Sequence, residues 1–256
     1  MNLIDTEIKE LLSMKKYPAK LFYAGDTKLL QKTKISIVGT RKPSKYSRML
    51  TQELSSKLSK RDICIVSGGA MGIDAIAHIG AKNNTISVLP CGVDIKYPAV
   101  NKNLLSDIEQ NALLLSQFEY GFKATPWSFV VRNELVVALG DVLVVAEAEL
   151  GSGSMRSIEF ALKMGKEIFV FPQRLGESSA TNQLLKEGKA KAIYDIEEFC
   201  SQFGNMQVED TKEDDFTKFC KTNPTYDELL KRFPNKVFEA ELSGKIKIEN
   251  GLVTLL

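Results

Sequence analysis

Ser67-Gly68-Gly69-Ala70-Met71-Gly72-Ile73-Asp74 is the stretch on which the reading of this fold turns. It follows the apolar run Ile63-Cys64-Ile65-Val66, which reads as a buried strand. It leads into Ala75-Ile76-Ala77-His78, which reads as a helix. A strand that enters a helix through closely spaced glycines presents backbone N–H groups at the positive end of that helix, and such an end suits a phosphate.

Working outward, Ile35-Ser36-Ile37-Val38 is a strand followed by Gly39-Thr40-Arg41-Lys42-Pro43-Ser44. A helix comes next, with Tyr46, Met49, Leu50, Leu54 and Leu58 spaced for one apolar stripe. Ile86–Leu89, Ala112–Leu115, Val142–Val145 and Ile168–Phe171 are further near-continuous apolar strands. Strands this apolar, alternating with helices, predict a mostly parallel α/β sheet covered on both faces. Right-handed crossovers would then gather the strand-to-helix loops on one edge.

The chain has 256 residues, enough for one large α/β domain and a small module. Its net charge of +2 confines any nucleic-acid site to a local patch. Cys64, Cys91, Cys200 and Cys220 stand far apart, as reduced thiols of a cytoplasmic protein would. No basic leader and no apolar run near membrane-spanning length is present, so no signal peptide and no membrane span are expected. The single histidine, His78, excludes a His-rich metal site. Four residues after Asp74, it is expected to hydrogen-bond to Asp74 or to backbone.

The expected division is an N-terminal extension over 1–33 packed on the core, a Rossmann-like domain over 34–204, an acidic linker over 205–215 and a module over 216–256. In the module, Thr225-Tyr226-Asp227-Glu228 is a capping box, Pro234 opens a second helix that Gly244 ends, and Asn250-Gly251 turns a hairpin. Two short helices and a hairpin outline a winged helix.

Three loops carry small residues where strands end: Gly39-Thr40-Arg41, Ser67–Gly72 and Gly151-Ser152-Gly153-Ser154, the last with Ser154 as a helix cap. Glycines at such places also serve plain tight turns. A helix from Pro126 would put Phe129, Arg132 and Asn133 on one face, an aromatic beside a cation and an amide, as a stacked base with a held backbone requires. The bland alternative puts Trp127 and Phe129 in the core and pairs Arg132 with Glu134 or a carbonyl. No G-x-x-x-x-G-K-[ST] occurs, and Asp94 is poorly placed for a dinucleotide ribose. Glu147 and Glu159 are the candidate general bases of an enzymatic alternative, a Rossmann-type nucleotide phosphoribohydrolase of the lysine-decarboxylase-like kind. Glu159 would otherwise pair with Lys163 on the helix surface. A third reading is a bare scaffold that binds no DNA.

These motifs, in this order, resemble the DNA-processing protein A (DprA, or Smf) family. The resemblance runs over about residues 17–190. It rests on Ile37–Arg41, Ser67–Asp74, Tyr97-Pro98 with Asn101, Phe129 with Arg132-Asn133, Ser152–Ser154, Pro172-Gln173 and Thr181–Leu185. It implies an extended Rossmann fold, single-stranded DNA bound without sequence preference, a homodimer, delivery of the strand to the RecA recombinase, and no catalytic activity; no cofactor or metal is expected. Gly39, Thr40, Arg41, Ser67, Gly68 and Gly69 would hold phosphates, Phe129 would meet a base, and Gly151–Ser154 would complete the pocket. The family usually shows Arg-Asn-Arg where this chain has Arg132-Asn133-Glu134, and often a basic residue where it has Pro126. Lys123 is the nearest replacement, with Trp127 a second. The helical N-terminal domain of longer members is not expected. The module fits the winged helix of many members. With Lys236 set against Glu239 and Glu241, it is expected to touch protein before duplex DNA.

Overall fold

The computed structural model describes residues 2–204 and 215–255, apart from 223, 243, 244 and 250. Two compact units result, residues 1–207 and residues 208–256.

The first unit is built on one sheet. In chain order its strands are β1 (Phe22–Gly25), β2 (Lys34–Val38), β3 (Cys64–Ser67), β4 (Thr85–Val88), β5 (Leu113–Ser116), β6 (Val142–Val145), β7 (Ile168–Val170) and β8 (Lys191–Ala192). The spatial order is β1-β5-β4-β3-β2-β6-β7-β8. All neighbours are parallel except β1, which pairs antiparallel with β5. Every strand expected from the sequence is present within a residue or so of its expected place. β1 and β8 are additional. β1 sits at the edge with a half-exposed pattern and β8 spans two residues, so neither carries the continuous apolar run that marks a central strand.

Alternate residues of each strand feed opposite faces. Ile35 and Ile37 of β2, with Val142 and Val144 of β6, pack under α1 (Lys45–Ser59), α2 (Ile73–Ala81) and α7 (Ile196–Ser201). Val38, Leu143 and Val145 face the other layer, α3 (Lys102–Asn111), α4 (Pro126–Leu139), α5 (Ser154–Lys163) and α6 (Ser179–Lys186). The stripe expected on α1 is corrected: Tyr46 and Met49 are exposed, and Ser47, Thr51 and Ser55 join Leu54 and Leu58 in the buried face. Small hydroxyl side chains let α1 lie close to α2, with Thr51 and Ser55 donating to the carbonyls of Ser47 and Thr51 at 2.6 and 2.8 Å. Near the start of the chain, the buried Lys34 ammonium reaches Glu10 at 2.5 Å and the Leu30 and Lys32 carbonyls, tying that segment to β2.

His78 also differs from expectation. Its Nδ1 lies 2.7 Å from Thr85 Oγ1. The Thr85 hydroxyl already donates to Ile65 O at 2.8 Å, so Nδ1 carries the proton and Thr85 accepts it. Burial, reinforced by Arg132, pushes the imidazole down to about 3.

In the second unit a third helix, α8 (Asp215–Cys220), precedes the two expected ones, α9 (Tyr226–Arg232) and α10 (Pro234–Leu242). Of the linker expected over 205–215, only Asp215 is described and it opens α8; residues 205–214 lie outside the described ones, as do Gly244 and Asn250. Thr225 and Glu228 form the capping box, with Thr225 N–H donating to Glu228 Oε2 at 2.9 Å. β9 (Ile246–Glu249) and β10 (Leu252–Leu255) form the antiparallel hairpin. Three helices followed by a hairpin is a winged-helix order of elements. Phe216, Leu229, Val237, Ile246 and Val253 fill its core.

Candidate nucleic-acid interface

The strand order reverses at β2. Chain progression leaves it toward β3, β4 and β5 on one side and toward β6, β7 and β8 on the other. In open α/β sheets the loops diverge at this reversal and leave a crevice beyond the carboxyl ends of the strands, where ligands bind. Here that crevice is a cavity of about 630 Å³. Its wall combines the loop after β2 (Gly39, Thr40, Arg41, Lys42), the loop after β3 (Gly68, Ala70, Asp74), the start of α5 with its preceding loop (Ser152, Gly153, Ser154, Arg156), and α4.

Pro126 opens α4, and Ser128 Oγ accepts the Thr125 N–H at 2.9 Å, which fixes that end. From there the helical period sets Phe129, Arg132 and Asn133 into the cavity wall, as their spacing predicts. The Phe129 ring is half-buried beside two guanidinium groups, Arg41 at 5.6 Å and Arg132 at 5.8 Å from its centroid. Arg41 is exposed, whereas Arg132 retains 5% of its surface.

Among the described residues Arg132 pairs with neither Glu134 nor a carbonyl. Its Nη1 stands 3.6 Å from Asp74 Oδ2, across the glycine loop. Burial pushes the Asp74 carboxyl up, opposed by the Arg132 guanidinium and by the loop donors. Burial also lowers Arg132, opposed by Asp74. Asp74 sits in the first turn of α2 and accepts the Ala70 N–H at 3.3 Å. Its carboxylate therefore already occupies part of the positive helix end that the sequence offers to a phosphate. The loop's first role is to seat Arg132. At Gly68 a Cβ would lie 1.2 Å from Arg132 Nη1, so only glycine leaves room for the guanidinium. Gly72, at φ +77°, lets the β3 loop pack against the β2 loop, where a Cβ would meet Thr40 O at 2.4 Å.

Of the expected residues, Gly39, Thr40, Arg41, Gly68, Phe129, Arg132, Asn133, Ser152, Gly153 and Ser154 meet at this cavity. Ser67 lies beneath it, fully buried, with its hydroxyl donated to Ile37 O at 2.7 Å. Gly69 stands behind the wall, its carbonyl accepting from Asn101 Nδ2 at 3.0 Å. Lys123 is exposed on the segment leading into α4, and Gly151 is exposed at the start of its loop; neither lines the cavity. Ser154 is the first residue of α5, and Gly153 takes the cap position assigned to it from sequence. Trp127 is 55% exposed and lies edge-on to Phe118 and Phe122, outside the core. Glu134 accepts the Lys15 N–H at 3.3 Å.

The sequence reading missed Lys42 and Arg156 in the wall and Asp74 as the partner of Arg132. Asp74 and Arg132 are far apart in the chain, and no local period links them. Arg156 was legible as the cation just inside the helix that follows Gly153.

The enzymatic candidates are otherwise engaged. Glu147 Oε2 accepts the Ser44 N–H and hydroxyl at 2.9 and 2.8 Å. Glu159 pairs with Arg156 at 2.9 Å in place of Lys163, and it does not line the cavity. Among the described residues no His, Cys, Asp and Glu cluster could hold a metal ion, and no helix is long and apolar enough to cross a membrane.

A doubly wound sheet with cations and an aromatic face at its switch point belongs to the Rossmann-like binding proteins. Residues 4–204 match the family model of DNA recombination-mediator protein A, and the chain belongs to that family. It is 34% identical over 201 residues to DNA processing protein DprA of Bacillus subtilis, covering 76% of this chain and 67% of that protein. Its fold superposes with TM-score 0.77 on DNA processing protein A from Helicobacter pylori, a structure described for its single-stranded DNA binding mode. The two are 43% identical, covering 78% of this chain and 94% of that one. The corresponding Streptococcus pneumoniae protein gives TM-score 0.73 at 32% identity, covering 79% and 72%.

Proposed function

We propose that this chain is a non-enzymatic, single-stranded DNA-binding recombination mediator, which protects incoming strands and loads the RecA recombinase during natural transformation. The observation that carries the reading is the half-buried Phe129 ring beside Arg41 and Arg132 in the switch-point cavity. An aromatic face accepts any base, and flanking cations accept the backbone, so binding tolerates any sequence. Arg41, Lys42 and Arg156, with the backbone of Gly39–Thr40 and Ser152–Ser154, take the phosphates, and Arg132 with Asn133 supports Phe129. Ser67, Gly68 and Gly69 contribute by shaping the loop, and Lys123 extends the charge outward. Kinship supports a cytoplasmic homodimer that hands its strand to RecA, with the 216–256 module contacting protein.

Titration of a labelled single strand and its duplex over a salt series tests this. Preferred binding of the single strand is expected, with the logarithm of the affinity falling linearly with the logarithm of the salt concentration. Equal affinity for the duplex, or no binding at low salt, overturns it. Free base released from a nucleoside monophosphate, and lost in Glu159→Gln, would restore the enzymatic alternative.

A further inference from the structure

The Tyr97-Pro98 motif lies beside the cavity without a part in it. Arg41, Gly68, Phe129 and Arg132 line a second, smaller recess on the β4 side, closed by Met71, Pro90, Tyr97 and Pro98. Tyr97 sets its ring edge-on to Phe129, with centroids 5.9 Å apart and planes at 64°. This pairing leaves ring surface open: Tyr97 is 44% exposed, and so is Met71. Asn101 anchors the same segment by donating to Gly69 O, so Tyr97 is carried on backbone tied to the glycine loop.

Two large apolar side chains standing half in water beside two guanidinium groups form an unfilled surface with the character of a base-stacking platform. The recess holds about 40 Å³, too little for a whole base and enough for one edge. A base over Tyr97 and Met71 would place its edge there, and Arg41 would stand between this base and one on Phe129.

Resting on the proposed DNA-binding reading, we propose that Tyr97, with Met71, is a second base-stacking station, so that consecutive bases of one strand lie on Phe129 and Tyr97. Anisotropy titrations with oligothymidylate and with an abasic strand of equal length separate base from phosphate contacts. Tyr97→Leu keeps bulk against Phe129 and removes the ring face. It is expected to weaken oligothymidylate binding about tenfold, as the loss of one stacked base does. Binding of the abasic strand should change less than about twofold, because the phosphate contacts remain. Tyr97→Phe should bind both strands as the parent does. Equal losses on both strands would assign Tyr97 to propping Phe129 and overturn the inference, as would an unchanged affinity for oligothymidylate. Parent protein that binds neither strand would overturn the DNA-binding reading and this inference with it. Parent protein that binds both strands equally would remove this inference alone.

Discussion

Replacing Gly68 by alanine tests whether the glycine loop exists to seat a guanidinium. The added Cβ would lie 1.2 Å from Arg132 Nη1 and 2.3 Å from Cζ. Ordinary carbon contacts need about 3.5 Å, so the guanidinium must retreat by roughly 2 Å. It now stands 3.6 Å from Asp74 Oδ2. At an effective dielectric of about 20, a retreat of that size cuts the attraction from about 4.6 to about 3 kcal/mol. The loss of roughly 2 kcal/mol is smaller than the 3–5 kcal/mol typical when one partner of a buried pair is removed, because the cation is displaced and still present. For a unit of about 200 residues this lowers the midpoint of thermal unfolding by roughly 4–8 °C. The assay is calorimetry on Gly68→Ala, Arg132→Ala and the double variant. With the guanidinium gone the remaining close contact is Asp74 Oδ2 at 2.8 Å, the end of a side chain then free to shift, so Gly68→Ala should cost less there and leave a coupling energy of roughly 1–2 kcal/mol. An equal fall in both backgrounds would refute the reasoning, since the cost would then lie in the backbone and not in Arg132.

Arg41→Ala should weaken oligothymidylate binding and lower the salt slope by about 0.7, the loss of one phosphate contact to a single strand. Phe129→Ala should lose affinity at unchanged slope, and Glu134→Ala should change neither, which filter-binding isotherms across salt would check. Acid should expose His78: held neutral to about 3 in the fold against an ordinary 6.5, it contributes stability that is full above pH 6.5 and lost progressively as pH falls toward 3. Denaturant midpoints should therefore fall less steeply over that window in His78→Gln, and parallel pH profiles would refute the assignment. Burial pushes the Cys64 thiol up to about 12 and those of Cys91 and Cys200 to about 11. All three should resist an aromatic disulfide reagent at pH 8 until the chain is unfolded; prompt labelling of any of them in the native protein would contradict their burial.

The central strands and the α4 stripe were legible because they are written in local periods. Residues 142–145 are apolar on both faces, and Phe129, Arg132 and Asn133 follow the helical repeat. Strand order was not legible, because nothing in β2 states which neighbours it takes. The two-residue β8 and the half-exposed β1 lack a pattern long enough to register. The stripe on α1 was misread because hydrophobicity favoured Tyr46 and Met49, whereas the close α1–α2 approach selects the small residues Ser47, Thr51 and Ser55. Asp74 was visible as an acidic residue in a helix first turn. Its partner was not, because the ion pair crosses from α2 to α4 and depends on Gly68 lying between them.

That crossing bears on what the motif Ser67–Asp74 is for. A loop that only held a phosphate would leave its helix end open to an outside anion. Here Asp74 supplies an internal carboxylate, Arg132 answers it, and the same guanidinium reaches the Phe129 ring. The glycines thus act at one remove: they let a buried cation stand where it braces an aromatic side chain, while the exposed Arg41 on the β2 loop is the second cation beside that ring. The inner cation is neutralised by Asp74, whereas the outer one has no ion-pair partner among the described residues. A polyanion would therefore be drawn to Arg41 and its neighbour Lys42, with Arg156 sharing its charge with Glu159 at the exposed surface, and Arg132 would contribute rigidity more than charge. The salt dependence of binding should accordingly follow Arg41, and the stability of the unit should follow Arg132.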